Sequence, residues 1–161
     1  MSPRILIVDD QAVVRSGFRA LLEDEPGFEI VGEAADGREA IALVARRRPD
    51  VVLMDIRMPG MDGLEATRVL TGPDAAPPVK VIVITTFDLD EYVFAALRAG
   101  AAGFLLKDAQ PEVLIEAIHA VASGFGLVRT RGHRPPDPRV RGRLSRPRGR
   151  IGARSAERAR T

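Results

Sequence analysis

The sequence predicts a doubly wound α/β domain, in which a parallel sheet carries helices on both faces, followed by a basic tail. Over residues 1–124, short aliphatic runs alternate with segments whose apolar residues recur at three- and four-residue spacing, as buried strands and amphipathic helices do. Both patterns stop at Gly124, and the chain beyond it is rich in Arg, Gly and Pro. We therefore expect one folded domain over residues 1–124 and a separate tail over residues 125–161.

Five aliphatic runs predict the strands. In chain order they are RILIV, FEIVGEA, VVLM, VKVIVIT and GFLL. Several of them are apolar at nearly every position, which is expected of parallel strands that are covered by helices on both faces. Their regular alternation with helical segments indicates that the strands run parallel in one sheet.

Five segments predict the helices. They are AVVRSGFRALLED, GREAIALVARRR, GLEATRVLTG, DEYVFAALRAG and PEVLIEAIHAVASG. In the first of them, Val14, Phe18 and Leu21 fall on one helical face, which is the pattern of a helix packed on a sheet. Asp36 is expected to cap the second helix, and Pro111 to open the fifth. Glycines are expected to end three helices: Gly72, Gly100 and Gly124.

Charge divides the chain at the same point as the aliphatic pattern. Residues 1–124 carry 12 basic and 20 acidic side chains, whereas residues 125–161 carry 12 arginines and two acids. The tail has no aliphatic period, so it cannot bury enough apolar surface to offset the entropy lost on ordering, and we expect it to be disordered.

Composition excludes two classes of protein. The chain has no cysteine, which excludes a disulfide framework and a thiolate metal site. No apolar run approaches the length of a membrane span, and the N-terminus lacks the layout of a signal peptide. These features predict a cytoplasmic protein that does not bind a membrane.

Polar side chains follow four of the predicted strands, each at the point where the strand ends. Asp9 and Asp10 follow the first, Asp55 the third, Thr85 the fourth and Lys107 the fifth. Ligands of open parallel sheets collect beyond the carboxyl ends of the strands, so these side chains should meet at one edge. Two adjacent carboxylates tolerate each other when a cation lies beside them, and Mg²⁺ prefers oxygen ligands. The set therefore predicts a magnesium site.

Each of these residues has a simpler explanation when it is considered alone. An Asp pair after a strand often forms a loop and a helix N-cap, and Thr85 is a typical strand residue. Lys107 alone would be a surface charge. The arrival of all of them from four strand ends favours a functional site.

Several motifs resemble the receiver domain of bacterial two-component response regulators. These motifs are ILIVDDQ, DVVLMDIRMPGMDGLEA, VIVITTFD and GAAGFLLKD. The stretches GEAADGREAI, TTFDLDEYVFAALRAGAAGFLLKDA and EVLIEAIHAVASG resemble the NarL/FixJ (LuxR-type) subfamily. The resemblance covers about residues 3–124. It implies a flavodoxin-like, CheY-like (βα)5 domain with five parallel strands in the order 2-1-3-4-5.

The resemblance also implies a role for each acid. Asp55 would be the phosphoacceptor, taking a phosphoryl group from the phosphohistidine of a sensor histidine kinase. Asp10 and Asp55, with the backbone carbonyl of Arg57, would ligate Mg²⁺, and Asp9 would support the metal through water. The domain would be a phosphorylated switch and not a turnover enzyme.

The resemblance assigns the remaining site residues to charge balance and switching. Lys107 would pair with the carboxylate and later with the phosphoryl oxygens, and Thr85 would hydrogen-bond the phosphoryl group. Phe104 matches the aromatic residue that moves inward when Thr85 moves. Phe87 is expected to shield the phosphoryl group from water and so to lengthen its lifetime.

The resemblance stops where the tail begins. Members of the subfamily continue into a LuxR-type helix-turn-helix domain that binds DNA, and the apolar helices of such a domain are absent from residues 125–161. We expect a frameshifted or truncated output domain; the alternative is a basic arm whose arginines bind nucleic acid phosphates. The expected partners are a sensor histidine kinase and, after phosphorylation, a second copy of the chain, with DNA as the partner of full-length relatives.

Two other classes use part of the same pattern. A haloacid-dehalogenase-like phosphatase also has an Asp nucleophile and Mg²⁺, but it needs a second acid two residues later, where this chain has Arg57. A nucleotide-binding flavodoxin-like module needs a glycine-rich loop after the first strand, where Asp-Asp-Gln stands here.

Overall fold

Five strands and five helices alternate along the chain, as predicted. The computed structural model describes residues 2–75, 79–86 and 90–124, together with the backbone of residues 128 and 129. The strands are β1 (Arg4–Val8), β2 (Glu29–Ala34), β3 (Val51–Asp55), β4 (Lys80–Thr85) and β5 (Gly103–Leu106). The helices are α1 (Ala12–Glu23), α2 (Gly37–Arg47), α3 (Gly63–Thr71), α4 (Asp90–Arg98) and α5 (Pro111–Ala122).

The sheet is parallel throughout, and the predicted strand order 2-1-3-4-5 is confirmed. A sixth strand, β6 (Val128–Arg129), was not predicted; it pairs in parallel with Gly103 and Phe104 of β5. Two residues, one of them charged, are too few to form a recognisable aliphatic run. Phe87 and residues 125–127 and 130–161 lie outside the described residues, so the expectations for them remain predictions.

Helices cover both faces of the sheet because alternate residues of each strand point to opposite faces. Leu6 and Val8 of β1 pack in one cluster with apolar residues of α2, α3 and α4. Ile5 and Ile7 pack in a second cluster with residues of α1 and α5. All four strand residues are almost completely buried. This arrangement confirms the doubly wound fold.

The helix termini follow the capping chemistry of the sequence. The Asp36 side chain accepts a hydrogen bond from the backbone N–H of Glu39 at 2.9 Å, as an N-cap does. Pro111 occupies the first turn of α5. The three predicted glycines follow the last residues of α3, α4 and α5 within two positions. None of the helices in the described part of the chain is long and apolar enough to cross a membrane.

The strand order places a crevice at one edge of the sheet. β1 lies between β2 and β3, so the connections that leave β1 and β3 run in opposite directions along the sheet. The carboxyl ends of these two strands therefore flank the point where open α/β sheets bind ligands. Asp9 and Asp10 follow β1, and Asp55 ends β3.

Candidate functional site

The predicted site residues meet at the carboxyl edge of the sheet. Carboxylate oxygens of Asp9, Asp10 and Asp55 all lie within 4.8 Å of one another. Lys107 directly follows β5, and its ammonium nitrogen lies 2.8 Å from Asp9 Oδ2 and 3.3 Å from Asp55 Oδ1. Thr85 ends β4, the strand between β3 and β5, and its carbonyl accepts a hydrogen bond from the Lys107 N–H at 2.8 Å.

Burial differs among these side chains in a way that constrains their roles. Asp9, Asp55 and Thr85 are buried, with 1 %, 5 % and 2 % of their surface exposed. Asp10 is exposed, and Lys107 is half-buried. Two carboxylates below the surface need opposite charge or hydrogen-bond donors, because desolvation of an unpaired charge is costly.

Asp9 is held through both of its carboxylate oxygens. Its Oδ1 accepts a hydrogen bond from the backbone N–H of Gln11 at 2.9 Å. Its Oδ2 is fully buried and makes no well-directed hydrogen bond within the described part of the chain, although Lys107 Nζ lies at 2.8 Å. The short distance identifies an ion pair, and the poor direction leaves acceptor capacity on this oxygen.

The raised pKa of Asp55 indicates that Lys107 alone does not offset burial and the negative charge of the neighbouring acids. Burial, and then the negative charge of Asp9, raise the pKa of Asp55 from its ordinary 3.8 to about 6, although Lys107 opposes the shift. Burial lowers the pKa of Lys107, but its contacts with Asp9 and Asp55 outweigh burial and raise the pKa. Lys107 is thus an ammonium at neutral pH, and it does not balance three acids alone.

These observations fit a metal site. The donor atoms are all carboxylate oxygens, one of them a buried oxygen with unused acceptor capacity. Hard divalent cations prefer such ligands, and a +2 charge would offset the excess of acid. The acidic cluster of Asp9, Asp10 and Asp55 is therefore suited to hold a cation of this kind.

The loop after β3 brings a glycine against Asp55. The Gly63 N–H donates to the carbonyl of Ile56 at 2.8 Å, and a Cβ at position 63 would lie 1.9 Å from the Asp55 carbonyl oxygen. Only glycine allows α3 to begin this close to the end of β3. The capping box of Asp62 and Glu65 stabilises the start of α3 at the same place.

Arg57 lies two residues after Asp55 and points its exposed side chain towards α4. Its guanidinium donates a hydrogen bond to the Tyr92 hydroxyl at 2.6 Å and lies 5.9 Å from the centre of the Tyr92 ring. The resemblance implies that the Arg57 backbone carbonyl ligates Mg²⁺ and that Arg57, like Phe87, stands at a position that controls the access of water to the phosphoryl group. The side-chain contact had no signal in the sequence, because it depends on how α4 packs beside the loop.

Phe104 is buried beside α4. Only 1 % of its surface is exposed, and it belongs to the same apolar cluster as Val93 and Ala96 of α4. The ring therefore lies inside the domain, on the face of the sheet that α4 covers.

An open cavity of about 490 Å³ adjoins the acidic cluster. It is lined by Asp10, Ile56, Arg57, Met58, Pro59, Asp62, Leu64 and Tyr92. Its walls come from the loop after β3, the start of α3, α4 and Asp10, so the exposed member of the acidic cluster faces this cavity.

Arg15 of α1 is a further site neighbour that the sequence reasoning missed. Its guanidinium donates to the backbone carbonyl of Asp9 at 2.7 Å and to the Glu33 carboxylate at 3.0 Å. The sequence offered one signal for this contact: Arg15 lies five residues after Asp10, one turn into the first predicted helix.

The sheet order and the pocket of acids and one lysine at its carboxyl edge are those expected of a receiver domain. The chain belongs to the response regulator receiver domain family, whose model matches residues 5–119. This membership removes the support for the phosphatase and nucleotide-binding alternatives.

Two curated relatives are a bacterial transcriptional regulatory protein and a bacterial response regulator. The uncharacterized transcriptional regulatory protein YxjL of Bacillus subtilis is 46% identical over 127 residues, which cover 79% of this chain and 57% of the relative. The nitrate/nitrite response regulator protein NarP of Escherichia coli is 46% identical over 121 residues, covering 75% of this chain and 55% of NarP. The chain thus spans about half the length of the curated relatives it matches.

Solved structures agree with the fold. A LuxR-family two-component response regulator from Aurantimonas has a TM-score of 0.73 at 38% identity, covering 79% of this chain and 89% of that one. The receiver domain of the putative response regulator NarL from Mycobacterium tuberculosis has a TM-score of 0.72 at 36% identity, covering 76% of this chain and 98% of that one. The isolated receiver domain of RcsB from Salmonella enterica was solved with the phosphomimetic BeF3⁻. It has a TM-score of 0.71 at 26% identity, covering 80% of this chain and 94% of that one.

Proposed function

We propose that this protein accepts a phosphoryl group on Asp55 from the phosphohistidine of a sensor histidine kinase and changes conformation in response. The observation that carries the proposal is the convergence of three carboxylates and one ammonium at the carboxyl ends of β1, β3 and β5. The relative solved with a phosphomimetic supports the same role.

Asp55 serves as the nucleophile without the help of a base. With a pKa of about 6, roughly nine in ten Asp55 side chains are ionised at pH 7. A carboxylate oxygen attacks phosphorus, the bond from phosphorus to the histidine nitrogen breaks, and the imidazole leaves with the electron pair. The product is an acyl phosphate, which retains much of the energy of the donor.

Mg²⁺ is the proposed cation, which Asp10, Asp55 and the backbone carbonyl of Arg57 would hold, with Asp9 supporting it through water. When bound, it would supply positive charge to the phosphoryl oxygens. Lys107, whose Nζ lies 3.3 Å from Asp55 Oδ1, adds a second positive charge.

Thr85 and Phe104 are the proposed switch. The Thr85 hydroxyl donates a hydrogen bond to the phosphoryl group, and Phe104 adjusts its packing against α4 as Thr85 moves. Phosphorylation adds charge and strong acceptors at one strand end, which is enough to bias a packed element between two arrangements. A bias of a few kcal/mol repopulates such an equilibrium.

We assign the receiver to residues 1–124 and a distinct tail to residues 125–161, in a cytoplasmic protein. YxjL is named as a transcriptional regulatory protein. We therefore propose that the phosphorylated receiver pairs with a second copy and, in a full-length form with a DNA-binding domain, controls transcription. The tail would be a frameshifted or truncated output domain or a basic arm, and sequencing the gene past codon 124 in all three frames distinguishes these alternatives.

Labelling with a small phosphodonor tests the proposed function. The full chain is incubated with radiolabelled acetyl phosphate and Mg²⁺, and bound label is counted. Wild-type protein should be labelled, and Asp55→Asn should not. Asp74→Asn is the matched control, because Asp74 is exposed and follows α3 at the opposite edge of the sheet. Equal labelling of wild type and Asp55→Asn would contradict the proposal.

A further inference from the structure

Arg15 joins the metal-site loop to the neighbouring strand. Its Nη1 donates to the Asp9 carbonyl at 2.7 Å, and its Nε donates to Glu33 Oε1 at 3.0 Å. The two side chains of this ion pair are 19 % and 28 % exposed. Arg15 lies on α1 and Glu33 on β2, so one guanidinium connects three parts of the chain.

With Arg15 in place, three polar atoms of Asp9 are hydrogen-bonded, and the fourth, Oδ2, lies in an ion pair. Its N–H donates to the Ala34 carbonyl at 3.0 Å, and its carbonyl accepts from Arg15. Its Oδ1 accepts from the Gln11 N–H, and its Oδ2 pairs with Lys107. The peptide that joins Asp9 to Asp10 therefore has a defined orientation, which fixes the position of the Asp10 Cα and limits where its side chain can begin.

Asp10 depends on this orientation more than the other two acids do. It is the exposed member of the cluster, whereas Asp9 and Asp55 are fixed by burial and by Lys107. An exposed side chain samples several rotamers, and a metal must select one of them at an entropic cost. A fixed backbone reduces this cost because it limits where the carboxylate can go.

We infer that Arg15, anchored by Glu33, is a positioning residue of the metal site that holds the Asp9–Asp10 peptide so that both carboxylates face one cation. The inference rests on the proposed function, which makes Asp10 a metal ligand. Arginine suits this role because its rigid fork donates to two acceptors in different directions.

The anchor itself is firm. Arg19, one turn further along α1, also donates to the Glu33 carboxylate. Hydrogen bonds from Arg19 and, to a smaller extent, Arg15 hold the pKa of Glu33 below its ordinary value. Glu33 is thus a carboxylate at neutral pH and stays where Arg15 needs it.

Calorimetric titration of the full chain with Mg²⁺ tests the inference. Arg15→Met should weaken Mg²⁺ binding about tenfold, the low end for residues that support metal ligands. Arg4→Met is the matched control: it also removes an ion pair to a β2 glutamate, Glu29, and a hydrogen bond to a backbone carbonyl, that of Arg47, but at the start of β1 and away from Asp9. It should change the dissociation constant by less than about twofold, the effect of a surface ion pair.

A second variant and a second readout separate positioning from loss of stability. Arg15→Lys keeps one donor and should bind Mg²⁺ with an affinity between those of wild type and Arg15→Met. Urea unfolding in EDTA measures the stability of each variant without metal. The rate of labelling by acetyl phosphate in Arg15→Met should return to the wild-type rate at saturating Mg²⁺.

The outcomes that contradict the inference are distinct from failure of the proposed function. Equal Mg²⁺ affinities for wild type, Arg15→Met and Arg15→Lys would overturn the positioning role alone. Equal weakening by Arg15→Met and Arg4→Met would do the same, because a general loss of ion pairs would explain it. A wild-type chain that bound no Mg²⁺ would overturn the proposed function as well.

Discussion

Replacing Asp55 by Asn should make the metal-free protein more stable at neutral pH. Burial and the charge of Asp9 raise the pKa of Asp55 from 3.8 to about 6. The folded state therefore holds the Asp55 proton more tightly than the unfolded state does, and ionisation works against folding. Asn has a similar shape and no charge, so the variant avoids this cost.

The expected gain in the free energy of unfolding follows from the size of the shift in the pKa of Asp55. A difference of about two pKa units corresponds to roughly 3 kcal/mol once both states are ionised. The protonated group contributes this stability in full below pH 3.8, and the contribution is lost as the pH rises through about 6. The advantage of Asp55→Asn should thus approach about 3 kcal/mol above pH 7 and fall to about half of that at pH 5.

Urea unfolding followed by far-ultraviolet circular dichroism, in EDTA at pH 5 and pH 8, measures this difference. Asp74→Asn is the control, and it should change the free energy of unfolding by less than about 0.5 kcal/mol as an exposed substitution. Mg²⁺ at ten times its dissociation constant should stabilise wild type by about 1.4 kcal/mol and so narrow the gap. A less stable Asp55→Asn, or an advantage independent of pH, would refute the reasoning.

Three further predictions follow from the same contacts. Lys107→Met removes the ammonium from Asp9 and Asp55, so the pKa of Asp55 should rise above 6 in a carboxyl NMR titration; a lower pKa would contradict the pairing. Gly63→Ala places a Cβ 1.9 Å from the Asp55 carbonyl oxygen and should cost at least about 2 kcal/mol in urea unfolding; an unchanged midpoint would count against the close approach. Asp62→Ala removes the capping box of α3 and should cost about 1 kcal/mol without abolishing labelling.

The fold was predictable because four of its strands, β1, β3, β4 and β5, are buried along most of their length. Runs such as VVLM at the start of β3 need no alternation to be recognised, and their spacing by helices fixed the parallel arrangement. β6 was missed because pairing of Val128 and Arg129 with β5 depends on where the chain passes, not on hydrophobic pattern.

The site was predictable as far as it depends on strand ends. Asp9, Asp55 and Lys107 come together because the carboxyl ends of parallel strands share an edge. Contacts that depend on side-chain direction were not predictable, and the Arg15 bond to the Asp9 carbonyl is one of them. A sequence places Arg15 on a helix but does not show which neighbour its guanidinium reaches.

Chemical trapping of the phosphorylated residue tests whether Asp55 is the phosphoacceptor. The full chain is labelled with acetyl phosphate and Mg²⁺, reduced with borohydride, which converts an aspartyl phosphate into homoserine, and analysed by peptide mass spectrometry. If Asp55 carries the phosphoryl group, homoserine should appear at position 55, and Asp9 and Asp10 should be unchanged. Homoserine at Asp9 or Asp10 in its place, or at none of the three, would contradict this assignment.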